Sequence, residues 1–315
     1  MTNQRPKASR QAFGEALLDL GARYPKIVVL DADLSKSTKS ELFAKTYPQR
    51  FFEMGIAEQN MLGVAAGLAL DGKQAFCCSF ACFLAGRFET IKISVAYNRA
   101  NVVMVGTHAG VGIGPDGYSQ MGLEDIALMR TLHGVEVFQP ADEIETHAIM
   151  EYLCTRPGPA YLRLTRQDLK PIHGSDYRFA PGKLDVLRPG KDVLLFASGG
   201  PVMHALDASQ RLAASGVDIG VINVPSIKPL DTQNVCQLAK DASLCVSIED
   251  HTIMGGMGGA LAEILSSQGI SRLHRHGIPD VFGESGSPED LYRKFRLDAE
   301  GIYSVVHEAM RNAQT

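Results

Sequence analysis

One acidic residue stands alone in a turn of small residues ahead of an apolar helix. Glu58 lies in the segment G-I-A-E-Q-N (55–60), and apolar residues with helical spacing follow it. A carboxyl group at the mouth of such a helix is shielded from water, which makes it a candidate for proton transfer. An acid at a helix start is also often structural, because the helix dipole stabilises its charge. This stretch alone favours the structural role.

Strands and helices alternate along the whole chain and would position Glu58. The run IVVL (27–30) is typical of a buried strand in a parallel sheet, and the polar stretch D-A-D-L-S follows it. Ligands of α/β proteins bind at such strand ends. The alternation predicts an α/β fold with two doubly wound, mostly parallel-sheet domains, 1–170 and 191–315. A linker is predicted over 171–190, where three prolines interrupt the pattern.

Two local patterns carry further structural predictions. The apolar stretch over 83–98 predicts one long helix. The glycine-rich M-G-G-M-G-G-A-L (254–261) lacks the spacing of a dinucleotide-binding loop. We therefore predict that it is a helix entry packed closely against the preceding strand.

Composition excludes several classes of function. The 315 residues carry a net charge of -4, so there is no basic surface for nucleic acid. No apolar run approaches the roughly 18 residues of a membrane span, and the first residues contain no apolar signal-peptide core. The six cysteines form no CxxC pair, which favours reduced thiols and a cytoplasmic protein.

The motif around Glu58 resembles the pyrimidine-binding segment of the transketolase family. G-I-A-E-Q-N follows F-F-E-M, and the resemblance extends from about Ser9 to the C-terminus. It is closest to the C-terminal half of a transketolase, as found where two chains encode the enzyme. The resemblance implies a pyrimidine-binding domain, a transketolase C-terminal domain and the cofactor thiamine diphosphate. It also implies that Glu58 faces the aminopyrimidine ring and promotes its imino tautomer by acid–base catalysis.

Four further residues resemble the family's cofactor contacts. Phe80 and Phe83, in C-C-S-F-A-C-F, match aromatics that stack on the aminopyrimidine, and Phe83 is the firmer match. Without the family context, both would be assigned to the core. Leu34 resembles the large apolar residue that holds the cofactor bent, and Asp33 matches an acid near it. A turn at the strand end is the structural alternative for this pair.

Five residues resemble the family's substrate contacts. The resemblance implies that four of them grip the substrate phosphate: Arg10, Ser37, His108 and Arg166. Arg166 is the best supported, because L-T-R-Q closely resembles the family's strand end. Asp116, in G-P-D-G, matches an acid that hydrogen-bonds a sugar hydroxyl. As structural alternatives, Arg10 and Arg166 would be solvated surface charges and His108 would be a hydrogen-bonded core histidine.

The chain departs from the family pattern at Gln120. The family continues D-G-x-S/T-H-Q, whereas this chain reads Asp116-Gly117-Tyr118-Ser119-Gln120-Met121. Gln120 therefore stands where a substrate-facing histidine is expected. An amide donates and accepts hydrogen bonds but does not titrate near neutral pH. We expect a donor or acceptor sugar that differs from the common pentose phosphates.

Two family features are missing from the chain. There is no G-D-G motif followed by N-x, which the family uses for the metal and the diphosphate. The N-terminal histidines that transketolases use on the substrate also have no counterpart, because the first histidine of the chain is His108. The chain is thus expected to bind no metal itself and to supply only the pyrimidine half of a site. The implied partner is an N-terminal transketolase subunit that holds Mg²⁺, in an α₂β₂ heterotetramer with the active site at the interface.

Several alternatives stay open at this stage. The beta subunit of a 2-oxoacid dehydrogenase's decarboxylating component has similar domains and length, although Arg10 and Arg166 suit a sugar phosphate better. A deoxyxylulose-phosphate synthase is a second enzyme alternative, but that family is normally one long chain. A non-catalytic paralogue that only binds a partner belongs to a different class. Retention of Glu58, Phe83 and Asp116 disfavours it.

Overall fold

Two mainly parallel sheets, each covered by helices, and one small antiparallel sheet of two strands make up the described structure. The computed structural model describes residues 5–270 and 272–314. The strands are β1 (Lys7–Ala8), β2 (Ile27–Asp31), β3 (Phe51–Glu53), β4 (Gln74–Phe80), β5 (Val102–Thr107), β6 (Glu136–Phe138), β7 (Ala160–Arg163), β8 (Asp168–Leu169), β9 (Asp185–Arg188), β10 (Val193–Ala197), β11 (Ile219–Asn223), β12 (Ser226–Lys228), β13 (Leu244–Thr252) and β14 (Leu273–Ile278).

The helices lie between the strands and cover the sheets. They are α1 (Ser9–Arg23), α2 (Ser35–Thr38), α3 (Glu41–Thr46), α4 (Glu58–Leu70), α5 (Ala81–Ala85), α6 (Phe88–Thr90), α7 (Asp125–Thr131), α8 (Glu143–Thr155), α9 (Pro201–Ala214), α10 (Thr232–Ala239), α11 (Met257–Ser267), α12 (Pro288–Lys294) and α13 (Ala299–Gln314). None of those described combines the length and apolar character that crossing a bilayer requires.

The first sheet has the strand order β12-β6-β7-β5-β4-β2-β3. All neighbouring strands from β6 to β3 are parallel, and β12 is an antiparallel edge strand. Every residue of β2, β4 and β5 is buried, because helices cover both faces of the sheet. The second sheet has the order β14-β13-β10-β11-β9 and is parallel except at β9. The predicted α/β fold class is thus confirmed.

Parts of both sheets come from unexpected places in the chain. The segment predicted as a linker contains β9, which pairs antiparallel with β11. The strand β12 follows β11 in sequence but pairs with β6 of the first sheet. Both strands are very short edge strands, so their composition gives little periodic signal. The second domain therefore contributes β12 to the sheet of the first domain. The sheet of the second domain begins with β9, before residue 191.

The prediction of one long helix over 83–98 was wrong. The helix stops at Gly86, and the chain continues as α6 and then as a π-helical turn over Ile91–Ala96. Glycine weakens a helix interior because it loses the most backbone entropy on folding. The N–H of Arg87 closes a tight turn onto the carbonyl of Leu84, which separates the two helical pieces.

The glycine-rich segment 254–261 is a helix entry, as predicted. The N–H groups of Met257 and Gly258, at the start of α11, donate to the buried carboxylate of Glu249 at 2.7 and 2.9 Å. A Cβ on Gly258 would lie 2.4 Å from Ser247 Oγ on β13, so only glycine fits at this approach. Burial raises the pKa of Glu249 to about 7.

A buried arginine joins the two domains beneath the loop that follows β5. Arg163 Nε donates to Asp125 at 2.9 Å, and its Nη2 donates to the carbonyls of Gly122 and Asp250 at 2.8 Å. The Asp250 carboxylate in turn accepts from the N–H of Val111 at 2.8 Å. A Cβ on Gly110 would lie 2.0 Å from this carboxylate, so the loop requires glycine there. The second domain thereby fixes the glycine-rich loop of the first.

Candidate active site

The predicted site residues lie around the carboxyl edge of the first sheet. Leu34 and Ser37 follow β2, Glu58 follows β3, Phe80 ends β4 and His108 follows β5. Parallel strands end at the same edge of a sheet, and these are four consecutive strands of the sheet, in the order β5-β4-β2-β3. The topology therefore gathers groups from separate parts of the sequence into one region.

Glu58 is the first residue of α4 and is 5% exposed. Its carboxylate accepts a long hydrogen bond of 3.4 Å from Ser79 Oγ on β4. A buried carboxylate normally takes several strong hydrogen bonds, so this one retains capacity to accept from a ligand.

The aromatic residues form a stack that begins at Phe80, the residue after Ser79, which contacts Glu58. The rings of Phe80 and Phe83 are nearly parallel, with centroids 5.4 Å apart, and His108 stacks on Phe80 at 3.9 Å. Phe80 is buried, whereas Phe83 is half-buried. Phe83 is therefore the ring that remains available to a flat ligand, and Phe80 supports it.

Arg10, Ser37 and His108 converge through hydrogen bonds. Arg10 Nη1 donates to the Ser37 carbonyl at 2.8 Å and lies 2.9 Å from His108 Nε2. Arg10 Nε is buried and has no hydrogen-bond partner among the described residues. Burial, followed by the charge of Arg166, lowers the pKa of Arg10. An anionic ligand would satisfy this donor and relieve the repulsion between the two guanidinium groups.

His108 is held as a neutral imidazole. Burial, together with the charges of Arg10, Arg166 and Lys39, lowers the pKa of His108 to about 3. Its backbone is left-handed, with φ of 57°, and Asp33 and Lys39 share this conformation at 62° and 70°. Such strained positions cluster at functional sites.

Arg166 and Asp116 lie together at the rim of the site. Arg166 Nη1 contacts the Asp116 carboxylate at 3.0 Å. Both side chains are partly exposed, so a ligand could displace this pairing at modest cost. Gln120 ends a short 3₁₀ turn over Tyr118–Gln120 and is half-buried.

Leu34 and Asp33 differ in their surroundings. Leu34 is half-buried and packs against the cluster that contains Phe80. Asp33 is exposed, and its backbone N–H donates to Glu53 at 2.7 Å. Asp33 therefore lies in the exposed part of the loop after β2, and the contacts described for it do not include the aromatic stack.

Sequence reasoning missed the residue that shapes this loop, Asp31. Its buried carboxylate accepts from the Leu34 N–H, Thr38 Oγ1 and Ser40 Oγ at 2.7–2.8 Å. Burial raises the pKa of Asp31 to about 6. The hydroxyl residues that follow D-A-D in the sequence were the available signal.

The described residues offer one group of side chains close enough to share a metal ion: Glu15, Glu143 and His147. The Lys7 ammonium already contacts both carboxylates of this group, at 2.7 and 2.5 Å. The group lies on α1 and α8 and includes none of the predicted site residues.

These features define an α/β protein with a cluster of buried polar and aromatic side chains at the carboxyl edge of its first sheet. Residues 5–171 match the family description "Transketolase, pyrimidine binding domain", and residues 182–302 match "Transketolase, C-terminal domain". The chain belongs to the transketolase family.

Its relatives include chains that are named as transketolase subunits. The chain is 38% identical to an apulose-4-phosphate transketolase subunit of Actinobacillus succinogenes, over 89% of this chain and 91% of that protein. It is 37% identical to a 6-deoxy-6-sulfo-D-fructose transketolase subunit of Clostridium sp. strain MSTE9, over 95% and 93%. A solved structure described as a split-gene transketolase, an inactive beta4 tetramer, is 42% identical with a TM-score of 0.88, over 98% and 99%.

Longer transketolases share the fold. The crystal structure of Campylobacter jejuni transketolase has a TM-score of 0.83 at 21% identity, over 96% of this chain and 47% of that protein. This chain thus corresponds in fold to about half of that enzyme.

Proposed function

We propose that this chain is the C-terminal subunit of a two-chain transketolase that uses thiamine diphosphate. The enzyme would transfer a two-carbon ketol unit from a ketose phosphate to an aldose or aldose phosphate. The observation that carries the proposal is the buried Glu58 carboxylate, whose one long hydrogen bond comes from Ser79, the residue before the stacked Phe80. The family match adds the identity of the ring that such a site would accept.

The residues present fit the pyrimidine half of the cofactor. Glu58 would hold, at its carboxyl group, the proton that it shares with the ring nitrogen, in a site shielded from water. Phe83 and Leu34 would pack against the ring system, and Phe80 would support Phe83. When bound, thiamine diphosphate supplies the carbon nucleophile that attacks the ketose carbonyl.

The substrate anion would lie at Arg10 and Arg166. Arg10 offers a buried N–H that lacks a partner among the described residues, and Arg166 offers a partly exposed guanidinium. Asp116 would exchange its contact with Arg166 for a sugar hydroxyl, and Ser37 would hold the loop beside Arg10.

The missing half of the site requires a partner subunit, which would hold the diphosphate and Mg²⁺. A groove of about 610 Å³ lined by Gln59, Asn60, Gly63 and Ile93 runs along α4, the helix that begins with Glu58. Ile56 beside it is 84% exposed, and Tyr97 is 82% exposed. Contiguous exposed apolar patches mark protein interfaces, and these side chains would supply apolar contacts to the partner subunit. An obligate, large interface here would complete the site and allow an α₂β₂ heterotetramer.

The descriptions of the relatives support the proposal that two subunits share the active site. The related split-gene transketolase is described as an inactive beta4 tetramer. The sugars named for other relatives are apulose 4-phosphate and 6-deoxy-6-sulfo-fructose, which carry anionic groups. All six cysteines are unpaired, which supports a reducing, cytoplasmic location.

Replacing Arg166 with Gln is expected to raise KM for a phosphorylated substrate by about 10²-fold, because a charge-assisted pair contributes about 1.5–3 kcal/mol. The kcat is expected to fall much less. Steady-state kinetics of the two-subunit enzyme measure this effect. Arg178→Gln, an exposed arginine of the interdomain segment, is the matched control and should leave KM unchanged. An equal KM increase for an unphosphorylated aldose would contradict the assignment.

Gln120→His is expected to shift the preference among acceptor or donor sugars. A histidine would restore the titratable donor found at this position in other transketolases. The ratio of kcat/KM values across a panel of ketose and aldose phosphates measures the shift. An unchanged ratio would show that Gln120 does not determine the substrate.

A further inference from the structure

Gln167, the residue after Arg166, connects the rim of the site to the second domain. Its Nε2 donates to the Tyr292 hydroxyl of α12 at 2.8 Å. The Tyr292 hydroxyl in turn donates to the Asp250 carboxylate, near the end of β13, at 3.1 Å. Tyr292 and Asp250 are each only 3% exposed. A phenol hydroxyl accepts one hydrogen bond while it donates another, so this single group serves both neighbours.

The Gln167 side chain is held in a narrow gap between two glycines. A Cβ on Gly112 would lie 2.6 Å from Gln167 Oε1, and a Cβ on Gly200 would lie 2.6 Å from Gln167 Nε2. Both distances are too short for any residue with a side chain, so the gap requires glycine on each side. Gly112 belongs to the glycine-rich loop after β5, and Gly200 precedes α9 of the second domain. The two backbones therefore fix the amide in the orientation that reaches Tyr292.

The two rim residues of the site both depend on Asp250. Arg166 is the chain neighbour of Gln167, and its Nη1 contacts the Ile113 carbonyl at 3.4 Å and the Asp116 carboxylate at 3.0 Å. Ile113 and Asp116 belong to the glycine-rich loop, which Asp250 holds through a backbone N–H at 2.8 Å. One buried carboxylate of the second domain thus holds the loop that carries Asp116 directly. It holds the strand end that carries Arg166 through a tyrosine hydroxyl.

We propose that Tyr292 is a positioning residue whose hydroxyl joins Gln167 to Asp250 and thereby fixes the direction in which Arg166 meets the anionic group of the substrate. The inference rests on the proposed function for the nature of the ligand. It gives the second domain a part in substrate affinity, through a hydroxyl that need not touch the sugar.

Tyr292→Phe tests this link in the full chain alone, because it keeps the ring and removes only the hydroxyl. The Nε and Cζ signals of Arg166, recorded by ¹³C-detected NMR and assigned with Arg166→Gln, report the surroundings of its guanidinium. We expect Tyr292→Phe to shift both signals. Tyr303→Phe is the matched control on α13, where the ring centroid lies 4.4 Å from the guanidinium carbon of Arg211, and it should leave them unchanged. Arg166 signals that do not respond to Tyr292→Phe would overturn the proposal.

Kinetics of the enzyme assembled with its partner subunit give the second readout. Tyr292→Phe should raise KM for a phosphorylated sugar about 3- to 10-fold and leave kcat within about twofold, because loss of one neutral hydrogen bond disturbs binding of the anion. The KM for an unphosphorylated aldose should change by less than about twofold. A lower melting temperature with an unchanged KM would show that Tyr292 only stabilises the fold, which would overturn the inference.

A double-variant comparison tests whether Tyr292 acts through Gln167. Gln167→Met keeps the length of the side chain and removes the donor, so it should also raise KM for the phosphorylated sugar. Because both changes remove the same hydrogen bond, the double variant should bind no more weakly than Gln167→Met alone. Fully additive effects on KM would contradict the link. Because NMR uses this chain alone, its result is independent of whether the assembly transfers ketol units.

Discussion

Glu58→Gln is expected to lower the turnover of the assembled enzyme by about 10²–10⁴-fold, the usual contribution of a positioned acid–base group. Glutamine has the same shape and can still receive the hydrogen bond from Ser79, so the fold and the start of α4 should persist. An amide cannot take up or release a proton near neutral pH. The lost function is therefore proton transfer, which the side-chain oxygen alone cannot replace.

Two measurements separate this effect from a folding defect. Turnover is compared for the unmodified enzyme, Glu58→Gln and Glu308→Gln, the last of which removes an exposed carboxylate paired with Arg296. Circular dichroism and subunit association should be unchanged in all three. Turnover of Glu58→Gln within about threefold of the unmodified enzyme would refute the role assigned to Glu58.

Arg163→Met is expected to lower the free energy of unfolding by about 3–5 kcal/mol, because it leaves the buried Asp125 without its charge partner. Both side chains are almost fully buried. The substitution also removes the donors to the carbonyls of Gly122 and Asp250, which join the domains. The remaining hydrogen bond from Tyr161 to Asp125 does not neutralise the charge.

Urea denaturation followed by circular dichroism tests this expectation. Arg293→Met is the matched control, because Arg293 forms an exposed pair with Asp290 that should contribute less than about 1 kcal/mol. The double variant Arg163→Met/Asp125→Leu should recover part of the loss, since no uncompensated charge remains. A loss for Arg163→Met no larger than that for Arg293→Met would contradict the role of Arg163 in joining the two domains.

The sequence predicted the architecture well where strands are long and buried. The run IVVL became β2, a fully buried strand between β4 and β3 in the parallel part of the first sheet, as its β-branched composition indicated. The patterns failed where elements are short or interrupted. β9 and β12 are edge strands of three or four residues, and Gly86 divides an otherwise apolar helical stretch. Edge strands depend on neighbours distant in the chain, which local periodicity does not record.

The individual site residues came from a family motif, whereas their pairings came only from the structure. Arg10 and His108 lie 98 positions apart, and Asp116 and Arg166 lie 50 apart. Such contacts depend on loops from different strands meeting at one sheet edge. The role of Asp31 likewise depends on a tightly folded loop, because its carboxylate binds groups up to nine residues away. The residue types were therefore visible in the sequence, and their mutual orientation was not.

The most direct test of the central claim is reconstitution of the two-chain enzyme. The tagged chain is purified from its native source, and the protein recovered with it in a 1:1 ratio is identified by mass. Ketol transfer is then measured with thiamine diphosphate, Mg²⁺ and a panel of sugar phosphates, for each chain alone and for the pair. We predict transfer only for the pair, with a partner that carries the G-D-G motif. Full activity of this chain alone, or a pair that acts on 2-oxoacids and on no sugar phosphate, would contradict the account.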